Sequence, residues 1–346
     1  MVRRVVIPRN GDVDVLEVRE GPPDALAPGA ARIRVAAAGV NFADLLMRMG
    51  LYPEAPSKPF VPGYEVAGTV VELSADAAQA RPDLAVGTRV VAGTRFGGYA
   101  DEVVVPVAKA FALPDDWSFE EGAGFPVVFI TAWTALCAMA RVKAGDRVLV
   151  HGIAGGVGLA ALQIALAAGA RVAGTCGGPE KVDAARKHGA ERAIDYRAED
   201  VAAAVRAWAP EGADVVLESR GGRAMHESLR LLRPTGRIVL YGVSEMAPGS
   251  RRNLLAGARA ALPLLHVNPL KLINGNLGVY GLNVLKLWSN DDILGEALRD
   301  LADGARRGLY RTVVDRSFPL ERAGEAHRYL HERRNIGKVV LTTGAE

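Results

Sequence analysis

Residues 148–159 read Val148-Leu149-Val150-His151-Gly152-Ile153-Ala154-Gly155-Gly156-Val157-Gly158-Leu159. An apolar run fit for a buried strand passes into glycines and then into a helix-forming segment. Glycine permits the tight turn, and without side chains the backbone amides can approach a pyrophosphate. The N-terminus of the helix adds partial positive charge for the anion. The spacing is Gly-x-x-Gly-x-x-Gly rather than Gly-x-Gly-x-x-Gly, so the turn by itself also fits an ordinary glycine-rich connection. The strand–turn–helix context and the βαβ series that follows favour a dinucleotide held by Gly152, Ala154, Gly155, Gly156, Val157 and Gly158.

The choice of dinucleotide is read from the next strand, Arg171-Val172-Ala173-Gly174-Thr175-Cys176-Gly177. An NAD site usually ends this strand on Asp or Glu, which binds the ribose diol. Here the end carries Gly174, Thr175 and Cys176, with no acid before Glu180. Lys181 follows on the next helix, and Tyr196 closes the third strand. An ammonium and a phenol suit a 2′-phosphate that a carboxylate would repel. The expected cofactor is NADPH, bound at Thr175, Lys181 and Tyr196. Taken singly, Lys181 fits a solvated helix equally well, and Tyr196 a packing aromatic.

The elements that must position these residues fall into two textures. Val2–Pro8, Ala31–Ala37, Val66–Leu73, Val86–Val91 and Tyr99–Pro106 are short and rich in β-branched residues, with Gly and Pro between them. They predict an antiparallel, barrel-like domain. From Phe119 onward, strands at Arg147–His151, Arg171–Thr175, Arg192–Ile194, Asp214–Glu218, Arg237–Tyr241 and Val279–Leu282 alternate with Ala-rich helices. Those helices are Val157–Ala168, Glu180–His188, Ala198–Trp208 and Gly222–Leu232. Such alternation predicts a doubly wound parallel sheet, the Rossmann arrangement. The tail, with helices at Asp292–Arg307 and Leu320–Arg333 and strands at Val313–Phe318 and Lys338–Thr342, should return to the first domain.

A length of 346 residues allows two cores, and 49% hydrophobic with 23% charged residues is ordinary globular composition. A net charge of +3 gives no ground for nucleic-acid binding. Two cysteines, Cys137 and Cys176, exclude a four-thiolate zinc site within one chain and argue against a disulfide-stapled fold. The apolar run at the N-terminus stops at Pro8, too soon for a signal core, and no uncharged stretch is long enough to span a membrane. The expected location is the cytoplasm.

With these residues in hand, the chain resembles the medium-chain dehydrogenase/reductases along nearly its whole length. Gly39-Val40-Asn41-Phe42-Ala43-Asp44, Gly50-Leu51-Tyr52, Pro62-Gly63-Tyr64-Glu65, Gly97-Gly98-Tyr99-Ala100 and Thr131-Ala132-Trp133 look like the zinc-free quinone oxidoreductase branch. Asp195-Tyr196, Tyr241-Gly242, Arg252-Asn253-Leu254 and Asn335-Ile336-Gly337-Lys338 resemble the subgroup named for the vesicle amine transport protein. The resemblance implies an α/β fold with a GroES-like antiparallel β-barrel domain, residues 1–122 and 289–346, and a Rossmann domain, residues 123–288. It implies a homodimer paired through the sixth strand. Zinc members carry Cys where this chain has Asn41 and His where it has Tyr64, so no metal is expected. His327 and His331 share a helical face, lack a third ligand, and are expected to be solvated surface residues.

Without a metal, negative charge developing on a carbonyl oxygen must be met by hydrogen-bond donors or water. The resemblance puts the loops of Asn41 and Tyr52 at the cleft, making them the catalytic candidates, with Tyr64 as a substrate contact. Thr131, Gly242, Leu282, Asn283 and Asn335 match family positions around the nicotinamide and ribose. The expected reaction is hydride transfer from NADPH to a small hydrophobic quinone or other conjugated carbonyl. An enal, enone or enoyl-thioester reductase, and a non-catalytic nucleotide-binding protein, are the rivals. Residues 248–276, apolar with basic flanks, read as helices packed on the body and walling the cleft, with a membrane surface as the minor alternative.

Overall fold

The computed structural model describes residues 1–246, 262 and 267–345. Among these, residues 1–127 and 312–345 form one unit, and residues 128–246, 262 and 267–311 form the other. The expected boundary after residue 288 instead falls after residue 311. The helix that would have crossed it is tied to the second unit: the Trp133 indole donates to Asp300 at 3.2 Å.

The first unit begins with a two-stranded ribbon, β1 (Val2–Val6) and β2 (Glu17–Gly21). Next come β3 (Ala30–Val40), helix α1 (Phe42–Met49), β4 (Glu65–Leu73) and the short helix α2 (Ala75–Ala80). β5 (Arg89–Gly93), β6 (Glu102–Pro106), β7 (Ala110–Ala112) and helix α3 (Phe119–Ala123) follow. Helix α4 (Pro126–Trp133) carries the chain across the boundary. Alternate residues of β3 to β6, among them Ile33, Val35, Val66, Val70, Val90 and Val103, face a common core with Leu45 and Tyr99.

The second unit is a six-stranded parallel sheet. Its strands are β8 (Arg147–His151), β9 (Arg171–Cys176), β10 (Arg192–Asp195), β11 (Ala213–Glu218), β12 (Leu232–Leu240) and β13 (Gly278–Gly281). Between them run α5 (Gly156–Ala167), α6 (Pro179–Lys187), α7 (Val201–Trp208), α8 (Gly222–Leu229) and α9 (Pro269–Gly275). Helix α10 (Asp291–Arg306) closes it. The strand order β10-β9-β8-β11-β12-β13 is doubly wound, and the order reverses between β8 and β11. Helix α7 starts three residues later than the sequence suggested because Asp200 caps it, accepting from the Ala203 amide at 2.9 Å. Of the segment 248–276, residues 248–261 and 263–266 lie outside the described residues. On α9 the side chains of Leu270 and Ile273 are exposed.

The tail returns to the first unit. β14 (Val314–Pro319) pairs parallel with β15 (Lys338–Thr342), and helix α11 (Ala323–His331) connects them. β15 pairs antiparallel with β3, Val340 opposite Gly39, so the first unit's sheet contains one parallel pair. Its order is β14-β15-β3-β4-β5-β7, with β6 also on β3.

The carboxyl ends of β8, β9 and β11 are joined below the surface by side chains. His151 Nδ1 lies 2.9 Å from Thr175 Oγ1, and its Nε2 lies 3.0 Å from Ser228 Oγ. Ser228 donates to Glu218 Oε2 at 2.6 Å, and Glu218 Oε1 accepts the Arg220 amide at 2.8 Å. Burial lowers the His151 pKa to about 4, so the ring is neutral in the native protein at pH 7. The unfolded ring takes up a proton as the pH falls below 6.5, and the native ring does not do so until about 4. Stability held above that window is therefore lost as the pH falls through it. His151→Gln should flatten the loss between pH 6.5 and 4, read from urea midpoints, by about 3 kcal/mol. Equal slopes in parent and variant would mean that native His151 accepts its proton freely.

Candidate functional site

In the second unit the glycine turn lies at the switch point, at the carboxyl end of β8. Thr175 O receives the amides of Gly152 and Ile153 at 2.9 and 3.0 Å. The Gly152 amide thus closes the turn and is not a pyrophosphate donor. The first helical bond of α5 runs from Leu159 N to Gly155 O. The N–H groups of Gly156, Val157 and Gly158 therefore have no intrahelical partner and point out of the N-terminus, as an anion requires. Gly158 is irreplaceable for packing: a Cβ there would lie 2.3 Å from Gly152 O.

At the end of β9 the ribose side of this site takes shape. The Tyr196 hydroxyl and Arg197 Nε both lie against Gly177, where a Cβ would meet them at 2.6 and 3.0 Å. Lys181 sits in the first turn of α6. Its charge, with that of Arg186, opposes the burial that raises the Cys176 thiol to about 11. Asp195 is close, but its carboxylate accepts the amides of Gly178 and Arg197, both at 3.0 Å, which hold its pKa below the usual range. The Thr175 hydroxyl, expected at the cofactor, is buried and bonded to His151. Gly242 follows β12, and Leu282 is buried beyond β13. The Asn283 side chain accepts the Leu285 amide at 3.2 Å, and Thr131 is buried on α4.

In the first unit, Asn41 stands at the N-cap position of α1. Its Nδ2 donates to Glu65 Oε1 at 2.9 Å, and its Oδ1 accepts from Lys338 Nζ at 2.8 Å. Lys338 Nζ also donates to Glu65 Oε1 at 2.8 Å and to Val40 O at 3.0 Å. The second carboxylate oxygen of Glu65 accepts the Val127 amide at 2.7 Å. Lys338 and Glu65 are buried. Asn335, three residues before the lysine, is buried with its amide on Gly337 O at 2.7 Å.

Tyr52 and Tyr64 share a hydrogen bond, and burial raises both phenols above their ordinary range. The Tyr64 hydroxyl also lies 3.4 Å from Met47 Sδ. Phe96 packs against both Tyr64 and Phe60, ring centres 5.6 and 6.2 Å apart, giving an aromatic group beside the two hydroxyls. Beneath them Asp44 accepts from the amides of Asn41 and Gly63 and from the Tyr99 hydroxyl, at 2.9, 3.2 and 3.1 Å. Burial outweighs these bonds and lifts its pKa to about 7. Tyr99 also touches His327 Nε2 at 3.1 Å. His327, expected at the surface, is fully buried, and His331 is half-buried against Phe42. α11 turns this face inward, onto α1 and β14–β15.

Glu65, Lys338, Asp44, Tyr99, Phe96 and Arg197 were not singled out from the sequence. Glu65 and Lys338 lie inside motifs that were quoted, but a bond spanning 273 positions leaves no local mark.

The alcohol dehydrogenase GroES-like domain family matches residues 27–115, and the zinc-binding dehydrogenase family matches residues 156–282. A zinc site of that kind needs thiolate, imidazole or carboxylate ligands at about 2.0–2.3 Å. Asn41 and Tyr64 offer an amide and a phenol, and an ammonium already fills the space between Val40 O, Asn41 Oδ1 and Glu65 Oε1. The residues present do not fit zinc. The synaptic vesicle membrane protein VAT-1 homolog of Rattus norvegicus is 34% identical over 348 residues, covering 100% of this chain and 85% of that protein. The crystal structure of the human VAT-1 homolog-like protein superposes with TM-score 0.84 at 30% identity, covering 100% and 99% of the two chains. The quinone oxidoreductase of Thermus thermophilus, whose complex with NADPH has been solved, superposes with TM-score 0.81 at 35% identity, covering 98% and 99%. Likeness of sequence along the full length, joined to the same two-domain α/β architecture, means that this chain belongs to the medium-chain dehydrogenase/reductase superfamily, in the subgroup of the VAT-1 homologues.

Proposed function

We propose that the chain is an NADPH-dependent, metal-independent reductase that transfers hydride to a quinone or another conjugated carbonyl. The carboxyl end of β9 carries this reading. No acid ends that strand, while the Tyr196 hydroxyl and Arg197 Nε converge on Gly177 beside the α6 turn that bears Lys181. The NADPH complex of the Thermus thermophilus quinone oxidoreductase supports the same cofactor.

Bound there, NADPH would supply the hydride. The N–H groups of Gly156, Val157 and Gly158 meet the pyrophosphate. Asn41 donates from Nδ2 to the oxygen on which charge develops, and Tyr52 donates its phenolic hydrogen. The raised pKa keeps Tyr52 protonated and hence a donor at neutral pH. Phe96 and Tyr64 favour a flat, apolar substrate.

Cofactor titration tests the phosphate site. Lys181→Ala and Tyr196→Phe should each weaken NADPH binding by about 10-fold or more, with NADH unaffected. Equal affinity of the parent for the two nucleotides would overturn the choice of NADPH. Steady-state assay of ortho- and para-quinones against enones and crotonyl-thioester tests the acceptor. Turnover of the enones or thioester alone would make the chain an enoyl or enone reductase. NADPH binding with no oxidation across the panel would make it a non-catalytic nucleotide-binding protein.

The edge strand β13, with Tyr280 partly exposed, is proposed to pair with its copy in a homodimer. Sedimentation should give twice the 36.5 kDa chain mass, and a monomer would reject the pairing. Among the described residues no helix is long and apolar enough to cross a membrane. A cytoplasmic location is part of the proposal.

A further inference from the structure

Lys338 has no proton left to offer a substrate. Its three N–H bonds are matched by three oxygens, Val40 O, Asn41 Oδ1 and Glu65 Oε1, at 2.8–3.0 Å. Asn41 is different: one Nδ2 proton goes to Glu65, and the other has no partner among the described residues. An amide side chain can rotate by half a turn with little change of shape, exchanging its donor and acceptor ends. Here the two ends face groups that cannot exchange roles. An ammonium only donates, and a carboxylate only accepts. The flipped amide would set N–H against N–H and oxygen against oxygen, losing two charge-assisted bonds at once.

We propose that Lys338, paired with Glu65, is a positioning residue that locks the Asn41 amide with its oxygen inward, so that its second N–H is presented as a fixed donor to the substrate oxygen. The deduction rests on the proposed role of Asn41 as that donor. It also gives the lysine a place in the chemistry of a metal-independent site. A fixed internal cation polarises the amide through its oxygen, and the donor N–H carries part of that charge outward. The backbone supports such precision. Val40 ends β3, Glu65 opens β4 and Lys338 opens β15, so three strand ends of one sheet deliver the three groups. The Val127 amide holds the far oxygen of Glu65.

The test is a double-mutant cycle read on kcat and KM with a para-quinone, with NADPH affinity measured separately. Lys338→Met alone would strand a buried carboxylate, so Lys338→Met is combined with Glu65→Gln, which removes both charges and keeps an acceptor for Val127. In the unaltered chain, Asn41→Ala should lower kcat about 100-fold, the scale for losing one oxyanion donor. The charge-free pair should itself lower kcat by more than about 30-fold. In its background Asn41→Ala should cost less than about 3-fold more, because an amide free to flip is already a poor donor. NADPH affinity should stay unchanged throughout. Equal cost of Asn41→Ala in both backgrounds, or full kcat in the charge-free pair, would overturn the positioning role alone. An Asn41→Ala protein with full kcat would overturn the donor role, and the positioning role with it. Should the double variant fail to fold, Lys338→Gln with Glu65→Gln replaces it in the same cycle with the same two outcomes, because two amides that can each donate or accept impose no orientation on Asn41.

Discussion

A lysine and a glutamate removed from water must pair every proton of the one and both oxygens of the other, or the cost of burial exceeds what their attraction returns. Lys338 and Glu65 meet that condition, 2.8 Å apart, with Val40, Asn41 and Val127 taking up the remaining bonds. Because five groups from different parts of the chain must agree, the arrangement specifies more than it stabilises. It fixes where β3, β4 and β15 end relative to one another. It also fixes the loop from which α1 departs. Asp44, three residues into that helix, ties the same loop to the Gly63 turn. The positions of Asn41 and Tyr64 thus descend from one buried cation.

The second unit joins its strand ends with a neutral imidazole, two hydroxyls and one carboxylate. His151, Thr175 and Ser228 link the carboxyl ends of two strands to helix α8, and Glu218 anchors the set. The surface above is left to backbone. Parallel strands buried on both faces cannot offer many side chains at their rims, so an anion must be met by amides at a helix start. Thr175 illustrates the division of labour. Its carbonyl shapes the glycine turn and its hydroxyl steadies His151, and Tyr196, Arg197 and Lys181 are the groups proposed for the ribose end.

Much of this was legible in the residues because it is local. β8 through the start of α5 is a strand, a turn and a helix in sequence order, and the missing acid after β9 is a matter of one or two positions. The parallel sheet follows from alternation of period and length. Long-range partnerships were not legible. His327 and His331 have the spacing of an exposed helical face, and only the packing of α11 against α1 shows which way that face turns. α10 looked like the start of the returning tail, whereas the Trp133–Asp300 bond holds it in the second unit. Asn41 was chosen because the resemblance puts its loop at the cleft, and nothing near it in sequence announced that an ammonium would stand beside it.

The placement of β15 between β14 and β3 bears on biogenesis. The second unit is encoded without interruption by strands from the first unit, so its parallel sheet can form while later residues are still being made. The first unit cannot. Its central strand β3 waits for a neighbour some 300 positions downstream, and the loop closed by that pairing is among the longest the chain can make. Until residues 338–342 arrive, the Ala37–Val40 stretch of β3, beyond its pairing with β6, exposes unpaired amides and carbonyls beside an apolar face. During synthesis the nascent first unit is an open edge that a chaperone, or another copy of the chain, could engage before the final strand does.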